Sequence, residues 1–245
     1  MPRSTDLNGI RNYVQDGDEN LVKEQVEKLD QRIRDGLAKI GAEGTAEELI
    51  EFYDRNAKEY EETRGLVRSN MGRQHLARAV SRAVSDKSAR LLECAAGTGA
   101  GAEYVLQEGF TNIDALEPSQ GMLNIAKPKK IYIQLYCAAF KSDKQLDIQD
   151  DTYDALFFSA SFAPGHLGVE HLPEMIRILK PGGVIIFNVP DKYLLGAEEF
   201  KDGKLDSALQ SFVEDGRFES VSTERGPYRL GEDCNIYTIY IAQKQ

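Results

Sequence analysis

Cysteine is scarce in this chain. Cys94, Cys137 and Cys234 are odd in number and far apart, so they build neither a disulfide framework nor a paired-cysteine zinc motif. A reducing compartment, and with it a cytoplasmic setting, is the simpler expectation. Long apolar runs are missing too. None approaches the roughly 18 residues of a membrane span. The opening stretch MPRSTDLNGIRNYVQDGDEN lacks the apolar region of a secretory leader, and the last residues, IAQKQ, carry no lipidation box. No membrane association is expected. Positive charge is the minority sign: 30 Lys and Arg against 40 Asp and Glu leave a net charge of −10, which disfavours a globally cationic nucleic-acid surface. No repeat at solenoid periods is present. Histidine is limited to His75, His166 and His171, so candidate bases are few.

The 245 residues are enough for one good core and an added element. Residues 1–18 are polar and aperiodic, the pattern of a mobile end. Val22, Val26, Leu29, Ile33, Leu37 and Ile40 then recur at spacings of three and four, which predicts an amphipathic helix. Such a stripe packs on its own domain, or it seeds a coiled coil or a partner surface. GAEGT breaks it. TAEELIEFYDRNAKEYEET starts a second helical stretch, with Thr45 and Glu48 spaced as a capping box. Leu76, Val80 and Val84 predict a third helix. The expected division is residues 1–44 as tail and amphipathic helix and 45–245 as the main domain.

From Ser88 the pattern alternates. ARLLECA, NIDALEP, IYIQLYCAAF, YDALFFSASF and GGVIIFNVP read as strands. GAEYVLQEGF, SQGMLNIAK (stopped by Pro128) and VEHLPEMIRILK, with Val169, Leu172, Ile176 and Leu179 on one face, read as helices. KSDKQLDIQDD has too few apolar residues for a helix. RFESVSTERGPYRL and DCNIYTIYIAQ read as two antiparallel strands joined at a Gly-Pro turn. The expected fold class is α/β: a Rossmann-like three-layer sandwich around a seven-stranded, mostly parallel sheet with an antiparallel last strand.

Three stretches carry the chemistry. In LLECAAGTGAGAEYVL, a strand ends in Glu93 and runs through Gly97, Gly99 and Gly101 into a helix. Bare backbone at a strand-to-helix turn lets a ligand approach closely. Gly97-x-Gly99-x-x-Ala102 even passes the loose dinucleotide fingerprint. Glu93 argues against that ligand, because a dinucleotide sets its anionic pyrophosphate at this helix start. An acid there suits an ammonium or sulfonium. Glu117 ends the second strand, where an acid accepts ribose hydroxyls. Lys180-Pro181-Gly182-Gly183 makes a tight turn from helix to strand. Structural roles stay open for each: glycines that only shape a turn, Glu93 as a local cap, Glu117 as an exposed loop acid.

ECAAGTGAG, ALEPSQGML, DTYDALFFSAS and LKPGGVIIFNV resemble, in order and spacing, the successive motifs of class I S-adenosylmethionine-dependent methyltransferases. The resemblance covers roughly residues 45–190, with EELIEFYDRNAKEYEE similar to a segment that precedes the motifs in that family. FYDRNAKEY and GMLNIAK are closest to the methyltransferase-like proteins of the Williams–Beuren syndrome region. The resemblance implies S-adenosylmethionine as cofactor and S-adenosylhomocysteine as product. It places Ala95, Gly97, Thr98 and Gly99 under the methionine part, with Glu93 near its ammonium. It places Glu117 at the ribose and Pro118, Ser119 and Met122 beside the adenine, and it closes Tyr53 and Tyr60 over the cofactor. Ser159 and Ala160 would border the methyl group; Ser161 and Phe162 would border the acceptor. One departure stands out. The acid that many relatives carry after the third strand is replaced by CAAFKSD, leaving backbone contacts from Ala139 or Phe140, or a folded-back Asp143, for the adenine.

A base is needed only if the acceptor must lose a proton. His166, after the fourth strand, is the candidate for catalysis or for substrate binding, with Glu170 four residues on as a possible carboxylate partner. Cys94 is expected to pack in its strand. No Asn-Pro-Pro-Tyr sequence follows the fourth strand, which lowers planar amide and base acceptors. A small molecule is the expected acceptor, a protein side chain second, and nucleic acid is disfavoured. Residues 193–215, with the N-terminal helices, would shape the acceptor pocket. Two other readings stand beside an active enzyme: a cofactor-binding protein that does not catalyse or that serves as a partner subunit, and a nicotinamide oxidoreductase.

Overall fold

A computed structural model describes residues 19–67, 70–229 and 231–243. The polar segment 1–18 lies outside the described residues. Three helices come first: α1 (Glu19–Glu43), α2 (Ala46–Val67) and α3 (Met71–Ala83). Leu29 and Ile33 of α1 are buried, whereas the side chains of Val22 and Val26 lie outside the described set. Gly36 gives α1 its close approach to α2, since a Cβ there would meet the Phe52 ring at 2.6 Å. The stripe therefore packs, at its described part, within the chain. At the start of α2 the expected capping box forms: Thr45 N–H donates to Glu48 Oε2 (2.9 Å) and Glu48 N–H to Thr45 Oγ1 (3.2 Å). Leu76, Val80 and Val84 are buried, as the spacing of α3 predicts.

The sheet follows. Its strands are β1 (Leu91–Cys94), β2 (Ile113–Leu116), β3 (Leu135–Tyr136), β4 (Tyr153–Ser159), β5 (Leu179–Pro190), β6 (Phe218–Arg229) and β7 (Glu232–Ile241), in the order β3-β2-β1-β4-β5-β7-β6. The first five run parallel; β7 is antiparallel to both β5 and β6. Helices α4 (Ala100–Gln107), α5 (Gln120–Ala126) and α6 (Leu172–Ile178) connect parallel strands, and α7 (Asp191–Gly196) and α8 (Lys204–Glu214) lie between β5 and β6. Apolar side chains alternate between the two faces, as strand geometry requires. Leu92, Leu156, Phe158 and Phe187 enter one core; Leu91, Phe157, Val184 and Ile186 enter the other.

Three expectations need correction. IYIQLYCAAF is a strand only at Leu135 and Tyr136; Tyr132 and Phe140 leave the ladder to serve the two cores. Gly226-Pro227 is not the hairpin turn. Both sit inside β6, opposite Cys234 and Asp233, and the chain reverses near Gly231, whose φ is +76°. Proline is tolerated there because β6 is an edge strand. In α6 the buried side is Leu172, Met175 and Ile178; Ile176 is only part-buried. No helix forms in KSDKQLDIQDD, as its composition predicts.

Candidate functional site

In a parallel sheet of this kind ligands meet the carboxyl ends of the strands where the order reverses, here at the ends of β1, β2 and β4. The end of β1 bends sharply. Ala95 adopts a left-handed φ of +51°, Gly97 +56° and Gly99 +88°. A left-handed alanine is strained, and such strain concentrates at functional sites. A second strained alanine, Ala160 at +55°, ends β4. It is held by Asn188 of β5, whose Oδ1 accepts from Ala160 N–H (2.7 Å) and Ser159 Oγ (3.2 Å) while its Nδ2 donates to the Gly72 carbonyl (3.0 Å). A Cβ added at Gly97 would meet nothing within 4 Å, so this turn faces open space.

Glu117 sits beside that turn. Its carboxylate is buried, at 5% exposure, and accepts from Gly97 N–H (2.8 Å) and Ser119 N–H (2.9 Å). Burial raises its pKa to about 7, partly offset by those two hydrogen bonds and helped by the charge of Asp54. Glu117 is thus a buried acid at a strand end and not an exposed loop acid.

Glu93 does something different. Its carboxylate turns under the start of α4, where Oε2 accepts from Ala102 N–H (3.2 Å) and from the Tyr132 hydroxyl, and Oε1 fills the space a Gly101 side chain would take. This is the local-cap role. A helix start favours an anion, and Gly101 makes the close approach possible.

The second helix supplies the opposite wall. Tyr53, Asp54, Tyr60 and Glu61 recur on one face of α2, one heptad apart in pairs. The Tyr53 and Tyr60 rings meet edge to face at 6.1 Å, and Tyr53 packs edge to face on His166 at 5.7 Å. Tyr53 Oη lies 2.8 Å from His166 Nε2, and His166 Nδ1 lies 2.9 Å from the Pro164 carbonyl. A carbonyl only accepts, so Nδ1 carries the proton and Nε2 accepts from the Tyr53 hydroxyl. Burial lowers the His166 pKa, against the Pro164 bond and with a smaller contribution from Lys192, so the ring is neutral at pH 7. Glu170 does not partner His166. It lies 3.5 Å from His171 Nδ1, on the far side of a short helical turn. Gly41 of α1 backs the His166 loop, with the Pro164 carbonyl 2.6 Å from where its Cβ would stand.

Of the residues singled out in the sequence, Gly97, Glu117, Ser119 and Met122 are linked directly by hydrogen bonds. Tyr53, Tyr60 and His166 form a second cluster. Ser161 donates to the Ser159 carbonyl at 3.2 Å, which keeps it beside the end of β4. Phe162 does not border a ligand. Its ring is fully buried between Phe158, Phe187 and Phe200, so it belongs to the core. Phe140 is likewise buried in that core, Ala139 is part-buried, and Asp143 lies in an exposed stretch. Beside the 118 loop, Cys137 Sγ donates to the Pro118 carbonyl at 3.5 Å.

Five residues escaped the sequence reading: Asp54, Glu61, Lys129, Tyr132 and Asn188. Asp54 Oδ1 accepts from Ser119 Oγ (2.6 Å) and Gly121 N–H (2.7 Å). Glu61 accepts from Thr98 Oγ1 (2.5 Å) and Lys129 Nζ (2.7 Å), and Lys129 also donates to Glu103 (2.6 Å). The only available signal was that Asp54 and Glu61 share the face of Tyr53 and Tyr60.

Residues 92–187 match the family described as a methyltransferase domain. The chain is 26% identical over 140 residues to a demethylmenaquinone methyltransferase of Renibacterium salmoninarum, covering 57% of each chain. It is 27% identical over 145 residues to human methyltransferase-like protein 27, covering 56% of this chain and 55% of that one. The matched part thus spans little more than half the length of these relatives. Among solved structures, a phosphoethanolamine N-methyltransferase 2 of Haemonchus contortus, bound to phosphomonomethylethanolamine and S-adenosylhomocysteine, superposes with a TM-score of 0.53 at 12% identity, over 69% of this chain and 52% of that one.

Proposed function

We propose that this chain, whose residues 92–187 match a methyltransferase domain, is a class I methyltransferase that transfers a methyl group from S-adenosylmethionine to a small-molecule acceptor. The observation that carries this reading is the buried Glu117 carboxylate set against the glycine turn. The residues present fit the cofactor. Gly97 leaves room beside the backbone, and each Glu117 oxygen has a second lone pair for a ribose hydroxyl. When bound, S-adenosylmethionine supplies an electrophilic methyl group on a sulfonium.

The rest falls to the protein. Methyl transfer is an in-line displacement, so positioning dominates. Tyr53 and Tyr60 exclude water from that side. His166, neutral and locked in one tautomer by Pro164, takes a proton at Nε2. Because the Tyr53 hydroxyl occupies that lone pair, the acceptor gives its proton to the Tyr53 oxygen as Tyr53 passes its own to His166. Such a relay is useful only for an acceptor that loses a proton.

Small molecules are favoured by the net charge of −10 and by the kinship with a protein named for demethylmenaquinone. The reading includes residues 1–44 as an accessory segment before a domain over 45–245, and a place near the Williams–Beuren methyltransferase-like group. It also includes a cytoplasmic setting, which three free cysteines suit. Among the described residues no helix is long and apolar enough to cross a membrane. Ala138 and Ala139, where an adenine-binding acid is missing, favour the second reading, a cofactor-binding protein without turnover.

Calorimetric titration of S-adenosylmethionine and S-adenosylhomocysteine, with Glu117→Ala beside the wild type, tests the cofactor. Micromolar binding that the variant loses is expected. Methyl incorporation into a metabolite pool then separates the two readings: binding without incorporation favours the silent binder. Absence of binding to either compound ends both.

A further inference from the structure

The strongest unassigned feature is the pair of carboxylates on α2. Asp54 and Glu61 stand seven residues apart, hence on one face and two turns along the helix. Each reaches a different loop of the site. Asp54 takes the Ser119 hydroxyl and the Gly121 N–H, at the loop that follows Glu117. The contact is tight: a Cβ on Gly121 would lie 2.7 Å from the Asp54 carbonyl oxygen. Glu61 takes the Thr98 hydroxyl, inside the glycine turn, and the Lys129 ammonium. Lys129 and Glu61 are only 20% and 24% exposed, so their charges are partly desolvated and act strongly on a ligand placed between them and the turn.

Glu117 bridges the two loops, through Gly97 on one side and Ser119 on the other. On the proposed cofactor assignment, with Glu117 at the ribose, the 118–122 loop would take the adenosine side and the 97–99 turn the amino-acid side. Glu93, the acid expected to meet the ammonium, is turned away beneath α4. The described charged groups beside the turn are Glu61 from α2, Glu103 from α4, Lys129 from the segment after α5 and Glu117 from the end of β2. Three carboxylates and one ammonium leave an excess negative charge. Glu61 and Lys129 side by side complement an end that carries both an ammonium and a carboxylate.

We propose that α2 reads the cofactor at both ends: Asp54 is a positioning residue for the adenosine end, through Ser119 and Gly121, and Glu61 with Lys129 binds the amino-acid end across the glycine turn. This rests on the assignment of S-adenosylmethionine as the ligand. Calorimetry with S-adenosylhomocysteine and with 5′-methylthioadenosine, which lacks the amino-acid end, tests it. Losing a hydrogen bond to a charged group corresponds to roughly tenfold or more in affinity. Asp54→Ala should weaken both compounds by about that factor. Glu61→Gln and Lys129→Gln should weaken S-adenosylhomocysteine by about that factor and leave 5′-methylthioadenosine within about twofold, which also reports that the variants are folded. Equal losses on both compounds in all three variants would mean that α2 only braces the fold, and the inference falls. Unchanged binding in Glu61→Gln overturns it as well. If the wild-type chain binds neither compound while folded, the cofactor assignment itself fails, and this inference with it.

Discussion

Glu117 makes cofactor binding sensitive to pH, and the size of the effect follows from its surroundings. Its carboxylate, buried and facing Asp54, has a pKa raised from 4.5 to about 7. Only the ionised form accepts from both ribose hydroxyls while keeping its bonds from Gly97 and Ser119. The apparent affinity therefore scales with the ionised fraction. With a pKa of about 7, that fraction is roughly nine-tenths at pH 8 and one-tenth at pH 6, so S-adenosylhomocysteine should bind about tenfold more weakly at pH 6. Stability should run the other way. Between pH 4.5 and 7 the native state holds a proton that the unfolded chain has released, so stability falls as pH rises and levels off above 7. The full cost is about 3 kcal/mol. Glu117→Gln should bind weakly at every pH, and it should lose the stability slope. Calorimetry and urea denaturation across pH 5.5–8.5, on both proteins, provide the readout. A wild-type affinity that is flat over that range would refute the reasoning.

Two further outcomes follow from the site. His166→Asn keeps a hydrogen-bonding ring substitute but removes the proton acceptor, so kcat should fall by about 10²–10⁴ with KM for S-adenosylmethionine little changed; steady-state kinetics with an active acceptor checks this, and an unaltered kcat would remove the relay. Asn188→Ala takes the side-chain donor from the buried Gly72 carbonyl and one of two acceptors from the Ala160 N–H, which keeps its bond to the residue 188 carbonyl, so unfolding stability should fall by about 1–2 kcal/mol in a denaturant melt.

The parts of this molecule that depend on neighbours in the chain could be read from the sequence. Leu76, Val80 and Val84 announce α3 because a helix repeats every 3.6 residues, and Thr45 with Glu48 announces the start of α2 because a cap is local. The βα alternation around Glu93 and Glu117 gave the parallel sheet and the reversed β7. The errors arose where tertiary packing decides. IYIQLYCAAF has strand propensity throughout, but Tyr132 is drawn to Glu93 and Phe140 to the core. Gly226-Pro227 looks like a turn until it is seen on a sheet edge. Asp54, Glu61 and Lys129 meet partners 26 to 68 positions away, and no periodicity in a single sequence encodes such a meeting. Phe162 sits beside Ser161 in the chain, yet its ring is buried among Phe158, Phe187 and Phe200 while the Ser161 hydroxyl bonds back to the Ser159 carbonyl.

The sheet ends in two poor templates. On one side β3 pairs through only two residues, too few to recruit another strand. On the other, β6 presents Glu224, Arg225 and Pro227 along an exposed border, and Pro227 has no N–H to offer. An incoming chain would have to bury charge and lose a ladder bond on that flank. Stacking of copies edge to edge is thereby discouraged on both flanks.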